Sequence, residues 1–191
     1  MGSEMCIRDS PYGDAFILAL HTGLRMGELI ALQKGDVDFE AKKLYVRRNA
    51  QVVGKRNADG SRASGRRTVL STTKTYSGTR TISLNNIALE AARRLCDSHP
   101  ESQCVICGVR GGQVTHERFE RSFYRVLDNC GLERTGVHSL RHTFASFLFE
   151  QGIDIKTIST LLGHASTKIT MDTYIHLIQD TGMYAVSALE A

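Results

Sequence analysis

Hydrophobic residues near the start of the chain recur at helical spacing and predict two helices joined by a tight turn. The first helix carries the apolar run Phe16–Leu20 and is broken at Gly23. The second runs through Glu28–Leu32 and ends near Gly35. Arg25 therefore lies at a helix–turn–helix junction, close to a helix N-terminus. Free backbone N–H groups at such an end favour an anion, which makes Arg25 a candidate for binding one.

The middle of the chain alternates between apolar and polar residues and predicts a small antiparallel sheet. Lys43–Arg47 indicates one strand, and Arg67–Leu70 and Arg80–Leu84 indicate two more that are joined by a turn. Lys74 lies on the approach to that turn, so we expect it on a hairpin. Residues 54–67 are rich in Gly, Ser, Asn and Arg, and we expect a mobile loop there.

The pattern from Asn86 onward is helical and predicts five more helices. They begin at Asn86, with Ile87, Leu89, Ala92 and Leu95 on one face, and continue with Thr115–Asn129, His138–Gln151, Asp154–Leu162 and Ser166–His176. Gly152 and Gly163 each follow a predicted helix and suit its C-terminal cap. The predicted fold class is therefore α+β, mainly helical with one small antiparallel sheet.

Composition places the chain among ordinary globular proteins. It has 191 residues, of which 41% are hydrophobic and 23% charged. No apolar run approaches the roughly 20 residues that span a bilayer, and no secretory signal is recognisable, so we expect no membrane partner. Five cysteines, an odd number, fit a reducing cytoplasm better than a secreted scaffold. Residues 1–10 show little pattern and are expected to be a tag or a non-native segment.

One Cys-X-X-Cys pair, Cys104 and Cys107, raises the question of a metal site. No second pair of cysteines or histidines follows at ligand spacing, so the motif is half of a zinc site at most. The alternative is a short buried strand in which both thiols pack as small hydrophobic groups. We expect no metal and no cofactor.

Positive charge is concentrated in one stretch of the chain. Between Arg47 and Arg80 lie nine basic residues and a single acidic residue, Asp59, which gives this stretch a net charge of +8. The whole chain carries only +4, so the remainder is negative. Such a basic stretch is typical of a protein that binds a polyanion, although a solvated loop with charges that aid solubility is the alternative.

Six polar residues along the chain suit the cleavage of a phosphodiester without a metal ion. They are Arg25, Lys74, His138, Arg141, His164 and Tyr174. Arginines grip a phosphate and neutralise the charge that builds up on it, and histidines donate or accept protons. A tyrosine has a pKa of about 10 and is a poor nucleophile in water, but neighbouring arginines favour its phenolate.

Each of these residues also has an ordinary structural explanation. His138 and Arg141 are three residues apart and share a helix face, yet a helical histidine is commonly a surface or core residue. His164 follows Gly163 directly and could cap the preceding helix. Tyr174 could be a packed side chain with its hydroxyl at the surface. Their combination, more than any single residue, favours the chemical interpretation.

Three phrases of the sequence resemble the catalytic domain of the tyrosine recombinases, the phage and conjugative-element integrases. Thr22–Leu29 resembles the first arginine motif of this family, and His138–Ala145 resembles its His-X-X-Arg box. Leu161–His164, followed by Thr173–His176, resembles its terminal motif. The similarity runs from about residue 15 to residue 176, and we expect residues 11–191 to form one such catalytic domain.

The resemblance implies a role for each candidate. Tyr174 would attack the scissile phosphate of double-stranded DNA and form a 3′-phosphotyrosyl bond, which frees a 5′ hydroxyl. Arg25 and Arg141 would bind the non-bridging oxygens, for which planar guanidiniums suit better than lysine. A second strand would then attack the phosphotyrosine, so that strands exchange without a cofactor.

The remaining residues would support that reaction. Lys74 would protonate the leaving 5′ oxygen, His138 would help to position or deprotonate, and His164 would donate a hydrogen bond to the phosphate. Glu28 would orient Arg25. The family carries a helical DNA-clamping domain before the catalytic one, so we expect this chain to be a fragment. The likeness implies a tetramer on DNA and only weak self-association without it.

Three other functions remain as alternatives. A DNA-binding fragment without catalysis would need the basic stretch but not Tyr174. A type IB topoisomerase-like enzyme would use similar chemistry to relax DNA, although the phrases at His138–Ala145 and Leu161–His164 favour the recombinase. A metal-dependent phosphoesterase would need clustered acidic and histidine ligands, which the sequence lacks.

Overall fold

The computed structural model describes residues 10–56, 62–72, 79–108 and 110–171. Its helices are α1 Gly13–Thr22, α2 Met26–Ile30, α3 Asn86–Ser98, α4 His116–Asn129, α5 His138–Glu150 and α6 Ile155–Leu162. Its strands are β1 Val37–Asp38, β2 Lys43–Val46, β3 Arg48–Arg56, β4 Arg62–Thr72 and β5 Arg80–Ser83. A 3₁₀-helix spans Lys34–Asp36, and residues 167–171 are helical. The predicted α+β class, mainly helical with antiparallel strands, is confirmed.

Helix α1 lies at the centre of the core and packs against α3, α4 and α5. The Phe16 ring is tilted against Phe119 of α4, with ring centroids 5.0 Å apart, and meets Phe123 edge-on at 5.2 Å. The apolar face predicted for α4 is buried as expected, because Phe119 is fully buried and Phe123 nearly so. A central α1 fixes the position of the turn that follows it, and this turn carries Arg25.

The described strands form two antiparallel sheets, and their pairing corrects the predicted hairpin. β5 pairs with β2 in a three-stranded sheet of order β1-β2-β5, whereas β4 pairs with β3. The expected pairing of the strand at 67–70 with the strand at 80–84 is therefore wrong. Leu44, Val46 and Ile82 are at most 2% exposed, so burial of their shared apolar face brings β2 and β5 together.

The mobile loop expected over residues 54–67 is also wrong, because β3 and β4 run through most of it as a two-stranded ribbon. Backbone pairs such as Val53 with Arg67 and Gly54 with Arg66 continue into this region, with an irregularity between Gly54 and Arg56. The ribbon leaves the core, since Val52 is 44% exposed. A backbone ladder satisfies its own hydrogen bonds, which lets Gly, Ser and Arg occupy strands that need no apolar face.

Local differences follow from burial. Helix α2 ends at Ile30 and not near Gly35. Ile87 was expected on the apolar face of its helix, but its side chain is 53% exposed. On α5 the buried positions belong to Arg141 and Ala145.

No helix within the described ranges combines the length and hydrophobicity needed to cross a bilayer.

The segment around the Cys-X-X-Cys pair is buried but is not a continuous strand. Val105 and Ile106 are fully buried, as predicted, while Cys104 and Cys107 each form an isolated bridge. The Cys107 thiol donates to the Cys104 carbonyl at 3.3 Å, and burial raises the pKa of the Cys104 thiol. Among the described residues, no group of three or more His, Cys, Asp or Glu side chains is placed to hold a metal ion.

Candidate active site

A glycine turn positions Arg25 at the start of α2. Gly23 ends α1 in the left-handed conformation, with φ of 63°, and a Cβ there would lie 2.5 Å from the Phe144 ring. Arg25 follows as the N-cap residue of α2, and its backbone N–H donates to Glu28 Oε2 at 2.9 Å. Its guanidinium donates to Glu28 Oε1 at 3.0 Å and to the Gly163 carbonyl at 3.1 Å. Arg25 thus joins α2 to the end of α6.

Arg141 reaches the same place from α5. Its side chain is buried, and its two terminal nitrogens donate to the Gly23 and Leu162 carbonyls, each at 2.7 Å. Leu162 and Gly163 are consecutive, so the two guanidiniums bind adjacent carbonyls. The structure therefore brings Arg25 and Arg141 together from positions 116 residues apart in the chain.

A third arginine, Arg80 of β5, completes this arrangement. Arg80 Nε donates to the Leu161 carbonyl at 2.8 Å, and its terminal nitrogens form two 2.9 Å hydrogen bonds with the Glu28 carboxylate. Glu28 is 4% exposed. Burial alone would raise its pKa, but the hydrogen bonds and charge of Arg80, followed by those of Arg25, hold the pKa of Glu28 below its ordinary value. Glu28 is thus a charged partner shared by two arginines.

The carbonyls of Leu161, Leu162 and Gly163 are each bound by a different guanidinium. Carbonyls at a helix C-terminus lack partners within the helix and carry the negative end of its dipole. Three arginines from three other elements therefore gather around the end of α6. This arrangement concentrates positive charge immediately before His164.

His164 is held by its backbone and by its ring. Gly163 is left-handed, and the His164 N–H donates to the Ser159 carbonyl at 3.1 Å. The ring Nδ1 lies 2.7 Å from the Thr170 hydroxyl. Burial, with the nearby charges of Arg141 and Arg25, lowers the pKa of His164 to about 4. At neutral pH this ring is an uncharged imidazole among arginines.

His138 is the first residue of α5 and is exposed to solvent. It precedes Arg141 by three residues and shares its helix face. Partial desolvation of the ring, together with the charges of Arg141, His142 and Arg25, lowers the pKa of His138. Four of the six candidates, Arg25, His138, Arg141 and His164, thus occupy one region. The other two, Lys74 and Tyr174, lie outside the described residues.

The comparison with known families agrees with this geometry. The model of the phage integrase family matches residues 7–180. The chain belongs to the phage integrase family. This assignment confirms the family resemblance of the three sequence phrases.

Curated tyrosine recombinases and integrases resemble this chain over most of its length. A XerC-like tyrosine recombinase of Caldanaerobacter subterraneus is 30% identical over 188 residues, which cover 91% of this chain and 48% of the relative. The ICEBs1 integrase of Bacillus subtilis is 29% identical over 173 residues, covering 85% of this chain and 44% of the relative. The chain thus spans about half the length of the curated relatives that it matches.

Solved integrase structures share the fold. The Tn1549 transposon integrase in complex with transposon right end DNA has a TM-score of 0.75 and 25% identity, covering 94% of this chain and 59% of that one. The XerA recombinase has a TM-score of 0.67 and 22% identity, covering 90% of this chain and 56% of that one. At 22% identity, the similarity to the XerA recombinase shows a shared fold and nothing further.

Sequence reasoning missed Arg80, which it counted only within the basic stretch. A signal was present, because Arg80 and the buried Ile82 are two residues apart on one strand and therefore share a face. Arg48 is another arginine of that stretch that contacts an internal carboxylate, Asp36, with Arg47 3.6 Å from the same group. The basic stretch is thus partly a set of internal ion pairs.

Proposed function

We propose that this chain is the catalytic part of a site-specific DNA recombinase that cleaves and rejoins DNA strands through Tyr174. The observation that carries the proposal is the attachment of Arg25 and Arg141 to adjacent carbonyls directly before His164. Two guanidiniums and an imidazole in one place form a binding site for a phosphodiester. The relatives named as tyrosine recombinases and integrases support the same reaction class.

The first step is the attack of the Tyr174 hydroxyl oxygen on phosphorus. A bond from this oxygen to phosphorus forms, and the bond from phosphorus to the 5′ oxygen breaks, leaving a 3′-phosphotyrosyl link. Arg25 and Arg141 donate to the two non-bridging oxygens, where negative charge builds up in the transition state. A 5′ hydroxyl of a second strand then attacks the phosphotyrosine and releases the tyrosine.

Three further residues move or hold protons in this proposal. Lys74 protonates the leaving 5′ oxygen, and His138 helps to position the tyrosine hydroxyl or to remove its proton. The lowered pKa of His138 suits a base, since the ring is neutral and able to accept a proton at pH 7. His164 donates a hydrogen bond to the phosphate. Glu28 orients Arg25 through the hydrogen bonds described above.

Double-stranded DNA is the proposed partner, and four copies of the whole protein are expected to assemble on it. The β3–β4 ribbon carries much of the basic stretch and supports the choice of a polyanion. We propose that the reaction needs no metal ion, because guanidiniums supply the positive charge at the phosphate. Formation of the covalent intermediate in excess EDTA should equal that in magnesium, and loss of the intermediate in EDTA would contradict this part.

The nucleophile is tested with a nicked half-site taken from the junction DNA of the element that encodes the full protein. The nick lets a short fragment escape after cleavage, so the covalent intermediate accumulates. The full protein should give a protein–DNA adduct that survives denaturant, and Tyr174→Phe should give none. Tyr124→Phe is the matched control, because its hydroxyl donates to Glu120 one turn earlier on the same helix, and it should react normally. An adduct with Tyr174→Phe would overturn the assignment.

The same proteins separate the alternatives. A DNA-binding fragment without catalysis would shift the half-site in a gel but form no adduct. A topoisomerase-like enzyme would relax supercoiled plasmid that lacks the site, whereas a recombinase would exchange strands only between two sites. We expect strand exchange between sites.

A further inference from the structure

One residue near the site has no role in the proposed reaction although its position is highly specific. Thr170 lies in the helical stretch 167–171, where the four neighbouring residues are all exposed. Thr170 itself is fully buried, with 0% exposure. The buried position of this short stretch is thus occupied by a polar residue. Its hydroxyl needs a hydrogen-bond partner, because burying an unsatisfied hydroxyl costs free energy.

That partner is the ring of His164. The Thr170 hydroxyl oxygen lies 2.7 Å from His164 Nδ1, the length of a well-formed hydrogen bond. Threonine in a helix commonly donates to the carbonyl four residues earlier, which here belongs to Ser166. Among the described residues, however, His164 is the one recorded partner of this hydroxyl. Within the described part of the chain, this contact is therefore the hydrogen bond that satisfies the Thr170 hydroxyl.

The direction of the hydrogen bond decides the state of the histidine. If Nδ1 carried the ring proton, it would donate to Thr170, and the buried hydroxyl proton would have no acceptor among the residues that the structure describes. If Nδ1 is unprotonated, Thr170 donates to it and both groups are satisfied. The ring proton must then be on Nε2. The second arrangement leaves no buried donor without an acceptor.

We propose that Thr170 is a positioning residue that holds His164 in the tautomer with its proton on Nε2. Under the function proposed above, this makes Nε2 a hydrogen-bond donor to the phosphate between the two arginines. The role of Nε2 at the phosphate rests on the proposed function. The tautomer itself can be measured without DNA, so its test does not depend on that function. The lowered pKa of His164 agrees with a neutral ring that has one proton to place.

Backbone contacts make the restraint effective. The His164 N–H is bound to the Ser159 carbonyl, and the Gly163 N–H to the Thr160 carbonyl. The Cα of His164 is therefore fixed to the end of α6, and Thr170 fixes one side of its ring. Nε2 is the one ring atom able to hydrogen-bond that remains for a ligand.

The decisive variant is Thr170→Val, which keeps the shape and removes the hydroxyl, compared with Thr170→Ser, which restores it. Nitrogen-15 chemical shifts of the His164 ring at pH 7 distinguish the two tautomers directly. Wild type and Thr170→Ser should show the proton on Nε2, and Thr170→Val should show a mixture. Thr143→Val, at an exposed position of α5, is the matched control and should resemble wild type.

The second readout is the rate of adduct formation on the nicked half-site. Loss of one properly directed donor to a charged phosphate should slow Thr170→Val by about tenfold to a hundredfold, with Thr170→Ser close to wild type. A wild-type proton on Nδ1, or an unchanged tautomer in Thr170→Val, would overturn the inference even if DNA is cleaved. A wild-type Nε2 proton without any adduct would instead leave the inference standing and remove the proposed function. Unfolding of Thr170→Val with normal folding and tautomer in Thr170→Ser would support the hydroxyl contact.

Discussion

Glu28 and Arg80 illustrate how single residues hold the proposed site in place. Glu28 is nearly fully buried, and its carboxylate accepts hydrogen bonds from both Arg25 and Arg80. Only one of the two, Arg25, is a candidate for binding phosphate. Arg80 keeps the carboxylate charged and attaches it to β5, so that Arg25 is oriented by a group that cannot itself move away.

Replacing Arg80 should therefore destabilise the fold far more than replacing an exposed arginine does. Arg80→Met would leave Glu28 buried with Arg25 as its remaining partner among the described residues and should lower the free energy of unfolding by about 3–5 kcal/mol. The matched control is Arg94→Met, which breaks the exposed ion pair with Asp14 and should cost less than about 1 kcal/mol. Urea unfolding measures both, and equal losses would contradict an internal role for Arg80.

The lowered pKa of His164 predicts how stability depends on pH. The unfolded chain takes up a proton at this histidine near its ordinary pKa of 6.5, whereas the folded chain does so only near 4. Stability is therefore lost as the pH falls from about 6.5 to about 4, because the unfolded state binds more protons in that range. The loss from this group is on the order of 3 kcal/mol, because each pKa unit corresponds to about 1.36 kcal/mol.

His164→Gln removes this proton uptake and should flatten the stability curve between pH 6.5 and 4. Below pH 4 the two proteins should again lose stability in parallel, since Glu28 and other carboxylates are then protonated in both. Chemical denaturation at several pH values provides the curves. Parallel curves over the whole range from 6.5 to 4 would show that His164 is not held neutral by its surroundings.

The turn between α1 and α2 brings α2, α5 and α6 together, and these three helices carry or precede site residues. The Gly23 carbonyl accepts from Arg141, and a Cβ at this position would meet Phe144 of α5 and Leu162 of α6. The left-handed conformation and the lack of space both require glycine. The spacing between the two arginines thus depends on close contact of helices as well as on the arginines themselves.

Gly23→Ala should therefore separate these helices and destabilise the fold. A side chain in the left-handed conformation and a 2.5 Å clash with the Phe144 ring should together cost at least about 2 kcal/mol. Gly35→Ala is the matched control, because a Cβ there meets no atom within 4 Å. It should leave stability unchanged or raise it by up to about 1 kcal/mol. Thermal unfolding of both variants makes the comparison, and equal effects would contradict the packing argument.

Across the whole molecule, the features that could be predicted from the sequence are those set by residues close together in the chain. The face of α4 and the caps at Gly152 and Gly163 follow from local periodicity and from the conformational freedom of glycine. The region that carries Arg25, His138, Arg141 and His164 was predicted through short phrases whose order is distinctive. Each of these signals can be recognised without knowledge of which distant segments meet.

Predictions that depended on distant partners were less successful. The pairing of β5 with β2 and not β4 is decided by burial of Ile82 against Leu44, which lies 38 residues earlier. Arg80 finds Glu28 across 52 residues. Thr170 has meaning only through the ring of His164. Contacts of this kind are at most weakly indicated by the local sequence pattern. The two-residue spacing of Arg80 and Ile82 on one strand face is an example.

The uneven charge of the whole chain leads to a prediction about DNA affinity. The stretch from Arg47 to Arg80 has a net charge of +8 in a chain of +4, and most of it forms the β3–β4 ribbon. If the ribbon contacts phosphates, Arg66→Gln with Arg67→Gln should reduce the slope of log affinity against log salt concentration. The reduction should reach about 0.9 for each phosphate contact that is lost.

The matched control removes the same charge elsewhere, with Arg93→Gln and Arg110→Gln at exposed positions that do not belong to the ribbon. Both double variants have the same net charge, so a purely global attraction would change their DNA affinity equally. A ribbon that contacts the backbone predicts a smaller salt slope only for the Arg66 and Arg67 pair, because counterions are released where phosphates are neutralised. Fluorescence anisotropy between 50 and 200 mM salt, roughly the range over which such contacts dominate affinity, measures the slopes. Equal slopes for the two variants would assign the attraction to overall charge and remove the ribbon from the DNA interface.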